Sequence, residues 1–129
     1  MRLELTSRTD LALRALRSLH DAGTRVKRAQ LATDLGTTPD FLARVMAPLV
    51  RKNWVTSETG PSGGYASDAS VTGVSVYDLV AAVKGVPDES RCVLREGPCD
   101  ADERCALHDA WTRARKALTA ELQATFIIH

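Results

Sequence analysis

Apolar residues recur at helical spacing in separate stretches of this chain. Ala12, Ala15, Leu16 and Leu19 stand at i, i+3, i+4 and i+7, which predicts an amphipathic helix from about Arg8 to Asp21. Ser7 is placed to cap it, Asp10 three residues later to complete a capping box, and Ala22-Gly23 to end it. A shorter helix is expected from Lys27 to Leu35, with Ala32 and Leu35 turned inward and Gly36 as its stop. Thr38 is a good cap for a third helix, and Pro39 suits its first position, where a missing N–H costs nothing. Leu42, Val45, Met46 and Leu49 form the stripe of that helix, leaving Arg44, Arg51 and Lys52 outside it. Pro48 removes one backbone hydrogen bond and is expected to kink it.

Two short helices, a tight turn and a longer helix with a basic outer face have helix-turn-helix spacing. Trp54-Val55-Thr56-Ser57 then has strand character, Gly60-Pro61-Ser62-Gly63-Gly64 is a turn, and Tyr65 begins a return strand. A hairpin in that place is the wing of a winged-helix domain. Ser75 and Asp78 form a second capping-box pair, opening a helix with Val76, Leu79, Val80 and Val83 apolar. Gly85-Val86-Pro87 closes it. A polar stretch follows, and from Ala106 a last helix carries Leu107, Trp111, Ala114 and Leu118 at spacings of four and three. That coiled-coil-like seam suits pairing with a second subunit, and suits equally a helix folded onto its own core. The expected fold is mainly α: a winged helix-turn-helix DNA-binding domain over 1–85, a cysteine-rich loop over 86–105 and a C-terminal dimerisation helix over 106–129, within one compact domain.

Composition narrows the function. The 129 residues are 44% hydrophobic and 26% charged, enough for one core. No run approaches the roughly 18 apolar residues of a membrane span, and the charged first twenty residues do not read as a signal peptide. A cytoplasmic protein with no membrane partner is expected. The net charge of +1 hides an asymmetry: residues 1–66 hold ten Lys/Arg against six Asp/Glu, and residues 67–129 hold seven against ten. The front half leans towards an anionic partner such as nucleic acid.

The three cysteines form the pattern Cys92-x6-Cys99-x5-Cys105-x2-His108. In a cytoplasmic chain an odd cluster of this kind points to metal or redox chemistry rather than a disulfide framework. Thiolate sulfur suits iron–sulfur clusters and zinc, and Arg91, Arg95 and Arg104 beside the cysteines favour the thiolate. Three cysteines and a histidine are also a tetrahedral zinc set. No aromatic residue lies between Cys92 and His108, which argues against a base-stacking zinc finger. A cysteine-nucleophile enzyme with His108 as base is a poor reading, because no orienting residue, oxyanion motif or phosphate loop accompanies it. The chain is not expected to be an enzyme.

The opening Met1-Arg2-Leu3, the segment from Thr9 to Leu16, the wing Gly60-Pro61-Ser62-Gly63-Gly64-Tyr65 and the three-cysteine loop occur in this order in one family. The chain resembles the bacterial Rrf-type winged-helix regulators, the family of the iron–sulfur regulator IscR and the nitric-oxide sensor NsrR. The resemblance spans nearly the whole chain. It implies a homodimeric transcription factor of repressor type, with one cluster per subunit in the cysteine loop and the last helix as dimer contact. Two branches differ in the fourth ligand. Cys105-Ala106-Leu107-His108 resembles the IscR branch, in which that histidine ligates a two-iron cluster. Thr9-Asp10 resembles the NsrR branch, in which the aspartate reaches the other subunit's four-iron cluster, and Asp10 is slightly favoured here over His108.

The resemblance implies that residues 39–54 enter the major groove of double-stranded promoter DNA, with Asp40 and Arg44 near base edges. Lys27, Arg28, Arg51 and Lys52 are expected to hold phosphates, and the wing (Thr59, Gly60, Pro61, Gly63, Gly64 and Tyr65) to follow the neighbouring groove. This chain departs from its relatives in three places. Thr59 replaces an arginine before the wing glycine, Trp54 replaces a glycine after the recognition helix, and Pro48 lies within that helix. The expected function is cluster-dependent transcriptional regulation in response to nitric oxide or to redox and iron–sulfur status. A zinc-stapled DNA-binding protein and a small iron–sulfur carrier without DNA binding are the alternatives.

Overall fold

The computed structural model describes residues 6–61, 63–85, 92, 94 and 104–128. Its order is α1 (Ser7–Ala22), α2 (Arg28–Leu35), α3 (Pro39–Arg51), β1 (Val55–Glu58), β2 (Gly64–Ser67), α4 (Val76–Lys84) and α5 (His108–Ala124). A short 3-10 turn over Ala69–Gly73, absent from the sequence expectation, precedes α4.

The apolar stripes fold inward as their spacing requires. Ala12, Ala15, Leu16 and Leu19 of α1 and Leu42, Val45, Met46 and Leu49 of α3 are all fully buried. They meet Leu31 of α2 and Leu79 of α4 in one core. Burying a side chain of this size contributes about 1.5–3 kcal/mol, so these stripes set how the helices cross.

The helix ends correct the expectation in two places. Thr6, not Ser7, caps α1: its hydroxyl accepts from the Thr9 amide at 3.4 Å and lies 3.2 Å from the Thr9 hydroxyl. Thr9 rather than Asp10 then holds the third helical position, and Thr9 is buried. A buried partner at that position outweighs a solvated carboxylate, so the expected capping box does not form. The second correction follows α3. The Asn53 amide donates to the Val50 carbonyl at 2.9 Å and the Trp54 amide to the Leu49 carbonyl at 3.1 Å, with Asn53 at φ 62°. This is a Schellman motif with asparagine in the left-handed position. Trp54 therefore takes no glycine-like backbone and lies just ahead of β1. The helix also continues through Pro48 to Arg51; a proline in the last turns interrupts one bond without ending it.

The remaining caps match their motifs. Thr38 accepts from the Phe41 amide at 3.2 Å, and Gly23 and Gly36 end α1 and α2 with positive φ. Ser75 and Asp78 exchange both bonds of a capping box at 3.0 Å. Asp68 accepts from the Ser70 amide at 2.9 Å, and hydrogen bonding from the Ser70 side chain and amide lowers its carboxyl pKa.

β1 and β2 pair antiparallel, with Val55 opposite Ser67 and Glu58 opposite Gly64. The α1–α2 linker adds a third segment: Val26 and Tyr65 exchange both backbone hydrogen bonds at 2.8 Å. After α5 the chain turns back. The Val76 amide donates to the Thr125 carbonyl at 2.8 Å and the Ile127 amide to the Val74 carbonyl at 3.0 Å, so that Ile127 is fully buried in the same core. Arg17 of α1 donates to the Ile127 carbonyl at 2.8 Å.

Along the seam of α5, Leu122 is buried, Trp111 and Leu118 are half-buried, and Ala114 and Leu107 are exposed. The helix thus lies against its own domain at the C-terminal end and less so towards its start. No helix of the described residues is long and apolar enough to cross a membrane.

The left-handed residue after α3 provides a stability test. Asn53→Val is expected to cost about 1–2 kcal/mol, the penalty a side chain without local hydrogen bonding meets at positive φ. Asn53→Gly is expected to leave stability within about 0.5 kcal/mol of the parent. Urea denaturation of the three proteins checks both.

Candidate nucleic-acid interface and cysteine loop

Thr38 caps α3 and Pro39 takes its first position, and the buried stripe leaves the opposite, polar side outward. Asp40, Arg44 and Arg51 are exposed and fall on one stripe at 3.6-residue periodicity, opposite the buried Leu42, Val45, Met46 and Leu49. Lys52, the C-cap, is exposed beside them. Phe41 at the start of the helix is 38% exposed, an outward aromatic that the apolar stripe did not single out.

Lys27, Arg28 and Pro39 line a cleft of about 370 Å³ together with Thr59, Gly60 and Gly63 of the wing. The structure thereby brings the two cations at the start of α2 to the wing turn, while the α3 cations stand on the neighbouring helix face. Thr59, Gly60 and Pro61 are exposed at the tip, and the Gly63 amide donates to the Gly60 carbonyl at 2.9 Å.

Three wing residues serve the scaffold. Tyr65, expected at the nucleic-acid surface, is 3% exposed and belongs to the core. Strand alternation turns its ring inward while its backbone pairs with Val26, and the residue lines the cleft from its inner side. Gly64 has φ 120°, and a Cβ there would run into the Val26 carbonyl. Gly63 is buried, and a Cβ there would meet the Glu58 carbonyl. These glycines permit close backbone approach within the protein.

One residue near the wing carried no sequence signal. The Arg25 guanidinium donates to the Gly64 carbonyl at 3.0 Å, the Thr56 carbonyl at 3.4 Å and the Thr56 hydroxyl at 3.1 Å. It also lies 3.6 Å from Glu58. A lone arginine in a loop has no periodicity to mark it.

Of the cysteine loop, Cys92 and Cys105 lie within the described residues, and Cys99, Arg91 and Arg95 outside them. Both described cysteines are buried thiols, not joined in a disulfide. The Cys92 sulfur accepts from the Leu94 amide at 3.4 Å. The His108 amide donates to the Cys105 carbonyl at 3.1 Å, so Cys105 and the half-buried His108 share the turn that starts α5. Arg104 lies 4.0 Å from Asp109 across an exposed surface. As residue types, cysteine and histidine match the soft donor set of an iron–sulfur cluster or zinc and not that of magnesium or calcium. Among the described residues, no group of three or more His, Cys, Asp and Glu side chains is gathered as for a metal ion. Asp10 stands on the outer side of α1, 65% exposed and 4.0 Å from Arg14.

Residues 5–127 match the Rrf2 family, described as iron-dependent transcriptional regulators. The chain belongs to this family. The regulator IscR of Pectobacterium carotovorum is 31% identical over 111 residues, covering 84% of this chain and 67% of that protein. IscR of Photorhabdus laumondii is 28% identical over 124 residues, covering 95% and 75%. Among solved structures, CymR, the global cysteine regulator of B. subtilis, superposes with a TM-score of 0.77 at 20% identity, over 98% of this chain and 94% of CymR. T. potens IscR gives 0.70 at 16% identity, over 97% and 83%. These likenesses establish the winged-helix fold, and the relatives are transcriptional regulators rather than enzymes.

Two wing glycines separate strain from collision. At Gly60, φ is 92° with nothing within 4 Å of an added Cβ, so Gly60→Ala is expected to cost only the positive-φ penalty of about 1–2 kcal/mol. Gly64→Ala adds a backbone clash and is expected to cost at least about 1 kcal/mol more. Denaturation midpoints of the two variants give the comparison.

Proposed function

We propose that this chain is an iron–sulfur cluster-dependent, DNA-binding transcriptional regulator that acts as a cytoplasmic homodimeric repressor. The observation that carries the reading is the conjunction, in one Rrf2-family chain, of a cationic helix-and-wing surface with two buried cysteines, of which Cys105 stands just ahead of α5. Asp40 and Arg44 are assigned to base edges, and Lys27, Arg28, Arg51 and Lys52 to phosphates. The wing backbone from Thr59 to Gly63 follows the neighbouring groove, with Gly64 and Tyr65 supporting it from within the fold.

Cys92, Cys99 and Cys105 would hold the cluster, with Asp10 or His108 as fourth ligand. Such a cluster supplies reactivity towards nitric oxide and oxidants, and a non-cysteine ligand makes one coordination position labile. Two features support Asp10. Thr6 and Thr9 perform the capping that would otherwise explain it, and its carboxylate faces outward, where a second subunit can reach. Its helix carries the core stripe of the DNA-binding half, so a carboxylate held by the other subunit's cysteine loop ties sensing to α1. Release of that tie shifts the dimer towards a state of lower DNA affinity. His108 is supported by its shared turn with Cys105. The partly uncovered seam around Leu107, Trp111 and Ala114 supports α5 as the dimer contact.

The test is iron and acid-labile sulfide per chain, with an absorption spectrum, on protein purified without oxygen. About four irons, lost in Asp10→Ala, identifies the carboxylate ligand; about two, lost in His108→Ala, identifies the imidazole. Zinc without sulfide removes the cluster mechanism and leaves a DNA-binding protein. Binding to promoter duplexes is expected to weaken steeply with salt. A loaded dimer with no salt-sensitive DNA binding overturns the regulator reading, and ready cluster transfer to an acceptor would then identify a carrier.

A further inference from the structure

We propose that Arg25 is the positioning residue of the wing and not a phosphate contact. It stands in the basic run Arg25-Val26-Lys27-Arg28, where composition alone would assign all three cations to DNA. Their surroundings differ. Lys27 and Arg28 are exposed, whereas the Arg25 side chain is only 25% exposed and its donors already point at protein acceptors. Its guanidinium meets Gly64 on β2 and both Thr56 and Glu58 on β1. An isolated two-stranded hairpin is marginal in water. The Val26–Tyr65 pairing grips β2 through the backbone, and Arg25 reaches across to β1, so the linker holds both strands. A planar fork with donors on two nitrogens can span these acceptors; a lysine ammonium at the end of a flexible stem cannot.

The inference rests on the DNA-binding reading, and its test has one measurement on free protein. Affinity for a duplex selected from a random pool is measured against salt for the parent, Arg25→Ala, Arg25→Lys and Lys27→Ala, with amide hydrogen exchange on each free protein. Arg25→Ala is expected to weaken binding about five- to tenfold at every salt, with the parent's salt slope. Lys27→Ala lowers the slope by about 1. Arg25→Lys is expected to behave as Arg25→Ala. Wing amides of β1 and β2 exchange faster in both Arg25 variants, while those of α1 to α3 do not change.

A slope lowered by Arg25→Ala, recovery of affinity in Arg25→Lys, or unaltered wing exchange overturns the proposal. A parent protein without salt-sensitive binding overturns the DNA-binding reading instead, and the exchange data then decide the Arg25 assignment alone.

Discussion

The reciprocal backbone pairing of Val26 with Tyr65 is the contact on which the outward face of this protein depends. It joins the linker between α1 and α2 to the second wing strand, so the hairpin is fixed to the helices it must work beside. The pairing requires Gly64, where any side chain would strike the Val26 carbonyl. Tyr65 itself turns inward, with its ring in the core between the strand and the helices. The cleft between Lys27, Arg28 and the wing turn exists because these two segments approach so closely. A glycine-rich turn at a nucleic-acid surface invites a reading in terms of phosphate. Here Gly63 and Gly64 instead admit the protein's own backbone, and Gly60 is left at the tip.

Much of the fold was legible in the chain because its signals are local. Apolar stripes, the Thr38-Pro39 start, the glycine stops and the Ser75–Asp78 box each act within one helical turn, and each formed as its spacing implies. The errors arose where burial decided between near-equal local choices. Thr6 and Ser7 are both competent caps, and the choice fell to Thr6 because Thr9 becomes its buried partner. The role of Asn53 is not legible in residue type alone, because the left-handed position after α3 is defined by hydrogen bonds back to Leu49 and Val50. The inward ring of Tyr65 is not legible in the wing motif, because motif position says nothing of strand phase.

Contacts between distant parts of the chain were the least legible. Arg25 bonds residues 31 and 39 positions away, and Arg17 bonds the Ile127 carbonyl 110 positions away. Neither has a periodicity. The second contact matters for how the two halves communicate. Ile127, three residues beyond the end of α5, is wholly buried among the α1, α3 and α4 residues, so the segment that follows the helix is anchored in the core of the winged helix. A tilt of α5 cannot be absorbed by a slack tail, because its end is tied by two backbone bonds to Val74 and Val76 and by Arg17 to α1.

The two candidate fourth ligands therefore imply different couplings. His108 sits in the first turn of α5, and a change at a ligand there would reach the winged helix along α5, by way of Leu122 and the buried Ile127. Asp10 sits on α1 itself, whose opposite face is the core stripe from Leu11 to Leu19, and a change there acts on that half directly. The first route lies within one chain and works whether or not a second subunit is bound. The second would run across an assembled dimer, because the proposed carboxylate would reach the other subunit's cysteine loop. For a chain that holds a cluster, the identity of its fourth ligand would thus decide whether the response to cluster loss depends on protein concentration, as a route through the dimer must.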